Sequence, residues 1–180
     1  MWSKCSPVAL RSPRCEPLPF TGAVASTRYG RAMSDEYIPS TLDWVAEQIA
    51  EYEASGGTRA TTLRDTGIPI IVVTMRGRVS GAIRKIALMR VEHEGCYALV
   101  ASRGGAPTHP HWYQNLLADP EVQIQDGPEP AAYRVREVTG AERDLWWERS
   151  VEVFPTYDDY RVSAAEADRV IPVLVAEPLS

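Results

Sequence analysis

Between Pro69 and Pro120 the chain alternates short apolar runs with glycine-centred turns, and this stretch limits the architecture more than any other. Pro69-Ile-Ile-Val-Val-Thr-Met75 is short, apolar and β-branched, which predicts a buried strand over Ile70–Met75. Arg76-Gly77-Arg78-Val79-Ser80-Gly81-Ala-Ile-Arg84-Lys85 follows it, and Val100-Ala101-Ser102-Arg103-Gly104-Gly105 ends a second apolar run. Two glycine turns after β-type sequence, one of them with three arginines nearby, suit a ligand that carries phosphate.

The rest of the pattern fits a sheet with helices around it. Arg84–Glu92 and Cys96–Ser102 flank the turn at Glu94-Gly95 and predict a hairpin. Val122–Gln125 and Ala132–Val138 alternate around Asp126-Gly127-Pro128, and Ile171–Ala176 gives a closing strand. Helices are predicted over residues 40–54, from Thr108 through Ala118, and from Thr139 to about Val153. Ser40-Thr-Leu-Asp43 and Thr139-Gly-Ala-Glu142 both have capping-box spacing. About six strands with irregularly inserted helices predict a small antiparallel barrel, not a doubly wound sheet.

Charge excludes some function classes. The net charge of −5 argues against general nucleic-acid binding, which selects basic surfaces. No apolar run approaches the roughly 18 residues that a transmembrane helix needs. Before Met33, five basic residues (Lys4, Arg11, Arg14, Arg28, Arg31) face one acid, Glu16, so the remainder carries −9. This proline-rich start, residues 1–33, reads as a disordered basic tail or as translation upstream of a start at Met33-Ser-Asp-Glu. With Cys5 and Cys15 in the tail, Cys96 is the lone cysteine of the body, which fits a reducing, cytoplasmic setting.

Several residues could carry chemistry. Arg76, Arg78, Arg84 and Lys85 form either an anion site or a solvated turn. Ala101-Ser102-Arg103-Gly104-Gly105 offers backbone amides at a strand end, or is only a tight turn. His109-Pro110-His111, even with His93 and Cys96, lacks a metal-ligand spacing, so no metal is expected. Phe154, Tyr157 and Tyr160 recur every third residue and either line a pocket or pack a helix onto the barrel. Trp146 and Trp147 are adjacent, which predicts one facing inward and one facing a partner, lipid or ligand.

Taken together, these segments resemble the deazaflavin-dependent nitroreductases and quinone reductases of actinobacteria, which use coenzyme F420. The resemblance covers about residues 37–178. It rests on Thr74-Met-Arg-Gly77-Arg78-Val-Ser80-Gly81-Ala-Ile-Arg84, on Tyr97-Ala-Leu-Val-Ala101-Ser102-Arg-Gly104-Gly105, on His109-Pro110-His-Trp112-Tyr113-Gln-Asn115-Leu, and on Ile171-Pro172-Val. It implies an α+β, mainly β fold over residues 34–180: a split β-barrel of about six strands, FMN-binding-like, with peripheral helices.

The resemblance also implies roles. Arg78, Ser80 and Arg84 would hold the phosphate and acidic tail of coenzyme F420. Ala101, Ser102, Gly104, Gly105 and Trp112 would cradle its ring. Tyr157 and Tyr160 match the family's pocket tyrosines, and one of them, or water, would protonate the product or stabilise its oxyanion. The implied reaction is hydride transfer from reduced F420 to a quinone, with nitroaromatics as adventitious acceptors. Family members contact membranes through an N-terminal helix. Here Tyr37, Ile38, Leu42, Trp44, Val45 and Ile49 give that segment apolar surface, while Asp43, Glu47 and Glu51 oppose an anionic bilayer. The chain departs from the family pattern at Val79 (commonly lysine), Ala87 (proline) and Phe154 (tyrosine). An FMN-dependent oxidoreductase and a non-catalytic F420- or tetrapyrrole-binding module remain alternatives on the same fold.

Overall fold

The computed structural model describes residues 35–179. The sequence reading of residues 1–33 lies outside that range. Within it run helix α1 (Asp43–Ala54), strands β1 (Ile70–Arg76), β2 (Ile83–Met89), β3 (Glu92–His93) and β4 (Cys96–Val100), helix α2 (His111–Ala118), strands β5 (Glu121–Gln125) and β6 (Pro130–Glu137), helices α3 (Gly140–Val153) and α4 (Thr156–Ala165), and strand β7 (Val173–Pro178). The strands form one antiparallel sheet in the order β2-β1-β5-β6-β7-β4-β3. Its two end strands, β2 and β3, are neighbours in the chain, joined only by Arg90 and Val91. So short a link forces the sheet to curl until its ends meet, and the Ala98 amide donates to the Val91 carbonyl at 2.9 Å there. The expected mainly-β split barrel with peripheral helices is borne out.

Period-two alternation sorts the apolar residues into two faces. Ile71, Val73, Met75, Tyr97, Leu99, Val122, Ile124, Leu174 and Ala176 point into one cluster, closed by Tyr113 and Leu116 of α2. The intervening Cys96, Ala98, Val100, Val173 and Val175 face α3 and α4, while Ile70 and Val72 face Ile49 and Tyr52 of α1. Strands covered on both faces read as continuous apolar runs, and so β1, β4 and β7 do.

Four local expectations are corrected. β2 does not pair with β4: it pairs with β1 over seven residues, Ile70↔Met89 to Arg76↔Ile83. The turn after β1 dictates this, since Gly77 N donates to Ala82 O at 2.8 Å and Gly81 turns the chain at φ +72°. Only Glu92 and His93 form a hairpin with β4, which makes a seventh, two-residue strand. Neither capping box forms: Ser40 Oγ accepts from Leu42 N ahead of α1, and both Glu142 oxygens accept from Arg136. The fourth correction concerns the tryptophan pair, in which both Trp146 and Trp147 are buried in the cluster under α3 and α4.

Candidate functional site: an arginine turn and an amide loop joined by one helix

The β1–β2 turn divides the basic cluster by task. Lys85 Nζ is bound to both Glu53 oxygens at 2.6 and 2.7 Å and serves to attach α1. Arg76 donates to Asp35 at 2.9 Å and to Gly81 O at 3.4 Å. The Arg78 side chain is exposed and makes no hydrogen bond or ion pair among the described residues. Arg84 reaches only Ile38 O, at 3.5 Å, and its Cγ would lie 3.6 Å from a Cβ built at Gly77, so it crosses the turn. The same Cβ would approach Ser80 Oγ to 2.8 Å, which explains a glycine at that position. Ser80 Oγ accepts from Ala82 N and keeps its own proton for a further acceptor.

Helix α2 ties this turn to the second one. Asn115 Oδ1 accepts from Arg78 N at 3.0 Å, and Trp112, three residues earlier on the same helical face, is half-buried against the barrel core. Before α2, Ser102 is right-handed helical while Arg103, Gly104 and Gly105 have φ of +48°, +63° and +76°. An αR residue followed by an αL residue turns successive amides the same way, as in an anion-binding nest. Ser102 N donates to Val100 O and Gly105 N to Ser102 O, which leaves the Arg103 and Gly104 amides for a ligand. A Cβ on Gly104 would meet nothing within 4 Å, so this loop borders open space. Gly105 faces the other way. A Cβ there would come 3.0 Å from Tyr160 O and 2.9 Å from Ser163 Cβ, so the loop packs directly on α4.

That contact brings the aromatic segment to the loop. Phe154 and Tyr157 meet edge to face at 5.0 Å, and Tyr160 lies 6.0 and 6.4 Å from them. Tyr157 is 2% exposed, and burial, followed by the nearby Tyr160 phenol, raises its pKa far above the ordinary tyrosine value. Tyr160 is half-buried beside Gly105. The structure therefore brings Tyr160 to the Ala101, Ser102, Gly104 and Gly105 loop, and it groups Arg78, Ser80 and Arg84 at a turn that is bound to α2 through Asn115. His93 stands apart, edge-on to Trp146 at 6.2 Å. A groove of about 400 Å³ lined by Val91, Glu92, His93, Leu145, Glu148, Arg149, Glu152 and Val153 contains none of the candidate residues.

Sequence reasoning missed Arg169. It is 7% exposed, and its guanidinium donates to the carbonyls of Ala101, Ser102 and Ala106 and to His109 Nδ1. A single arginine ahead of Ile171-Pro172 carries no spacing signal, and only burial reveals it. His109 is held neutral by burial and by the Arg169 charge, both of which lower its pKa, although Glu137 acts in the opposite direction. The unfolded chain therefore takes up a proton that the folded one resists. Stability resting on neutral His109 is complete above its ordinary value of 6.5 and is lost as the pH falls through the lowered folded value. Urea midpoints measured from pH 7.5 down to 5 are expected to drop below pH 6.5 in the wild type. The drop should be smaller in His109→Asn, which keeps an acceptor near the Nδ1 position but does not titrate.

The geometry suits an anion at the β1–β2 turn, where the Arg78 guanidinium is unengaged among the described residues, and a polar edge at the Arg103 and Gly104 amides, in a loop that borders open space. Residues 44–178 match the F420H(2)-dependent quinone reductase family. An F420H(2)-dependent quinone reductase of Mycobacterium tuberculosis is 30% identical over 110 residues, covering 59% of this chain and 72% of the relative. Among solved structures, the F420-H2 dependent reductase FDR-A shares 45% identity over 61% of this chain and 94% of that chain, with a TM-score of 0.56. A chain described as a domain-swapped dimer shares 42% identity over 77% of this chain and all of its own length (100%), with a TM-score of 0.58. A family match over most of the chain, on a barrel of the expected kind, makes this protein a member of the F420H(2)-dependent quinone reductase family.

Proposed function

We propose that the protein transfers hydride from reduced coenzyme F420 to a quinone, with nitroaromatics as secondary acceptors. The observation that carries this reading is Arg78, an exposed guanidinium without a side-chain partner among the described residues, docked through its own amide to the helix that also borders the amide nest. When bound, reduced F420 supplies the hydride. Arg78 and Arg84 bind the phosphate and carboxylates of the tail through charge-assisted hydrogen bonds, and the Ser80 hydroxyl donates a third. The amides of Arg103 and Gly104 would hold the polar edge of the ring, and Trp112 would pack beside it. Tyr160 donates a hydrogen bond, and then a proton, to the acceptor oxygen as charge develops there. Phe154 has no hydroxyl and is buried in the cluster under α3 and α4, so it offers no donor to an acceptor oxygen. Exposed Leu42 and Trp44 at the start of α1 support peripheral contact with a bilayer that holds a lipid-soluble quinone.

Fluorescence titration with oxidised F420 and, separately, with FMN tests the cofactor, and steady-state reduction of menadione tests the reaction. Saturable binding of F420 but not FMN, with turnover, is the expected result. FMN binding alone would overturn it in favour of a flavin enzyme. Tyr160→Phe is expected to lower kcat by roughly a hundredfold while the F420 Kd stays within a factor of two, since only the hydroxyl is removed. An unchanged kcat would assign the proton to water.

A further inference from the structure

We infer that Arg169 is the positioning residue for the ligand loop, and that its buried charge makes the amides of Arg103 and Gly104 a seat for a ring edge carrying negative charge. The inference rests on the F420 reading and deepens it. A buried guanidinium is normally balanced by a carboxylate, because an uncompensated charge away from water is costly. Arg169 has none within ion-pair distance among the described residues. Its partners are instead three carbonyls and one imidazole nitrogen, all from the segment between β4 and α2: Ala101, Ser102, Ala106 and His109.

Two consequences follow from that donor pattern. A peptide chain that turns its carbonyls toward a central guanidinium must turn other groups outward. Here the positive φ of Arg103 and Gly104 does so for the amides of those two residues, which have no backbone partner among the described residues, whereas Gly105 N donates to Ser102 O at 3.1 Å. Arg169 therefore fixes the direction of the nest from behind, while α4 packs on it through Gly105. The second consequence is electrostatic. A full positive charge one peptide layer behind the amides adds to their dipoles, and Arg103 adds another as it reaches over Thr108 Oγ1 and His109 O. The acid that acts on this cluster, through His109, is Glu137, which accepts a hydrogen bond from Tyr113 Oη at 2.8 Å. Adjacent Asp168 is exposed and pairs with nothing described. The field at the nest is thus positive on balance, and it favours a ligand whose bound edge holds electron density, as a deazaflavin pyrimidine edge does.

The test uses wild-type protein and Arg169→Gln with two ligands: intact F420 and 8-hydroxy-5-deazariboflavin, which has the ring but no phosphate tail. In the wild type, the absorbance titration of the ring hydroxyl is read free and bound. Its anion delocalises onto the pyrimidine edge, so the ionisation midpoint is expected to fall by about one pH unit on binding, a tenfold preference for the anion. Arg169→Gln is expected to weaken both ligands by the same factor, about tenfold, and to abolish the midpoint shift. Arg84→Ala, by contrast, should weaken only intact F420. A midpoint unmoved or raised in the wild type overturns the inference while leaving the cofactor reading intact, and that arm holds even if Arg169→Gln fails to fold. Wild-type affinity of a folded Arg169→Gln variant for the ring also overturns it. Failure of wild-type protein to bind either ligand overturns the F420 reading itself.

Discussion

Alanine at both Arg78 and Arg84 is expected to raise the F420 Kd by about a hundredfold or more and to leave the fold intact. Charge-assisted hydrogen bonds contribute about 1.5–3 kcal/mol each, and about 1.4 kcal/mol is a factor of ten, so losing one from each arginine gives two or more decades. The fold should tolerate the change because Arg78 has no described side-chain partner, and Arg84 gives up only a 3.5 Å contact to Ile38 O. Removal of Lys85 would be a misleading control, since it breaks the ion pair with Glu53 that attaches α1. The salt dependence of F420 binding should flatten in the double variant, because two anion contacts are gone. Wild-type affinity there would dismiss the tail assignment.

Tyr157→Ala is expected to destabilise the protein by about 3–5 kcal/mol, the range for deleting a buried aromatic ring. The ring fills space among Phe154, Trp147 and Tyr160, and with it goes the contact that fixes α4 against the β4–β7 face. Tyr157→Phe should behave very differently, within about 1 kcal/mol of wild type, because the hydroxyl has no hydrogen-bond partner among the described residues. Denaturant unfolding of the two variants separates ring from hydroxyl. Turnover of Tyr157→Phe decides the chemistry: a kcat near wild type leaves proton donation with Tyr160, and a loss as large as that of Tyr160→Phe shares it between them.

The sequence was legible where a local pattern and the tertiary environment agreed. Ile70–Met75, Cys96–Val100 and the closing strand read as buried because every residue along them has a covered face. Pairing was harder. Arg84–Glu92 could close on either neighbour, and the choice lay in the six-residue turn from Gly77 to Ala82, whose hydrogen bonds no composition rule encodes. The Thr139–Glu142 capping box failed for a similar reason: Arg136, only six residues from Glu142, took that carboxylate through two hydrogen bonds stronger than a cap. Helix α4 was hidden by its polar composition, with only the spacing of Phe154, Tyr157 and Tyr160 betraying a helical turn. At the candidate site the arginine cluster was visible, but its division between attachment and ligand contact was not. Arg169 was invisible because its importance comes from burial.

Strand β7, formed by residues 173–178, lies between β6 and β4 in the middle of the sheet. On the ribosome, therefore, the central plank of the barrel emerges after every strand it must join. The β1–β2 hairpin and α1 can assemble early, from contacts close in sequence. Closure cannot begin until the last strand threads between partners made long before, and non-local pairing of that kind slows folding. Until then β4 and β6 expose bare backbone edges, a period in which a second nascent copy could offer the missing strand instead.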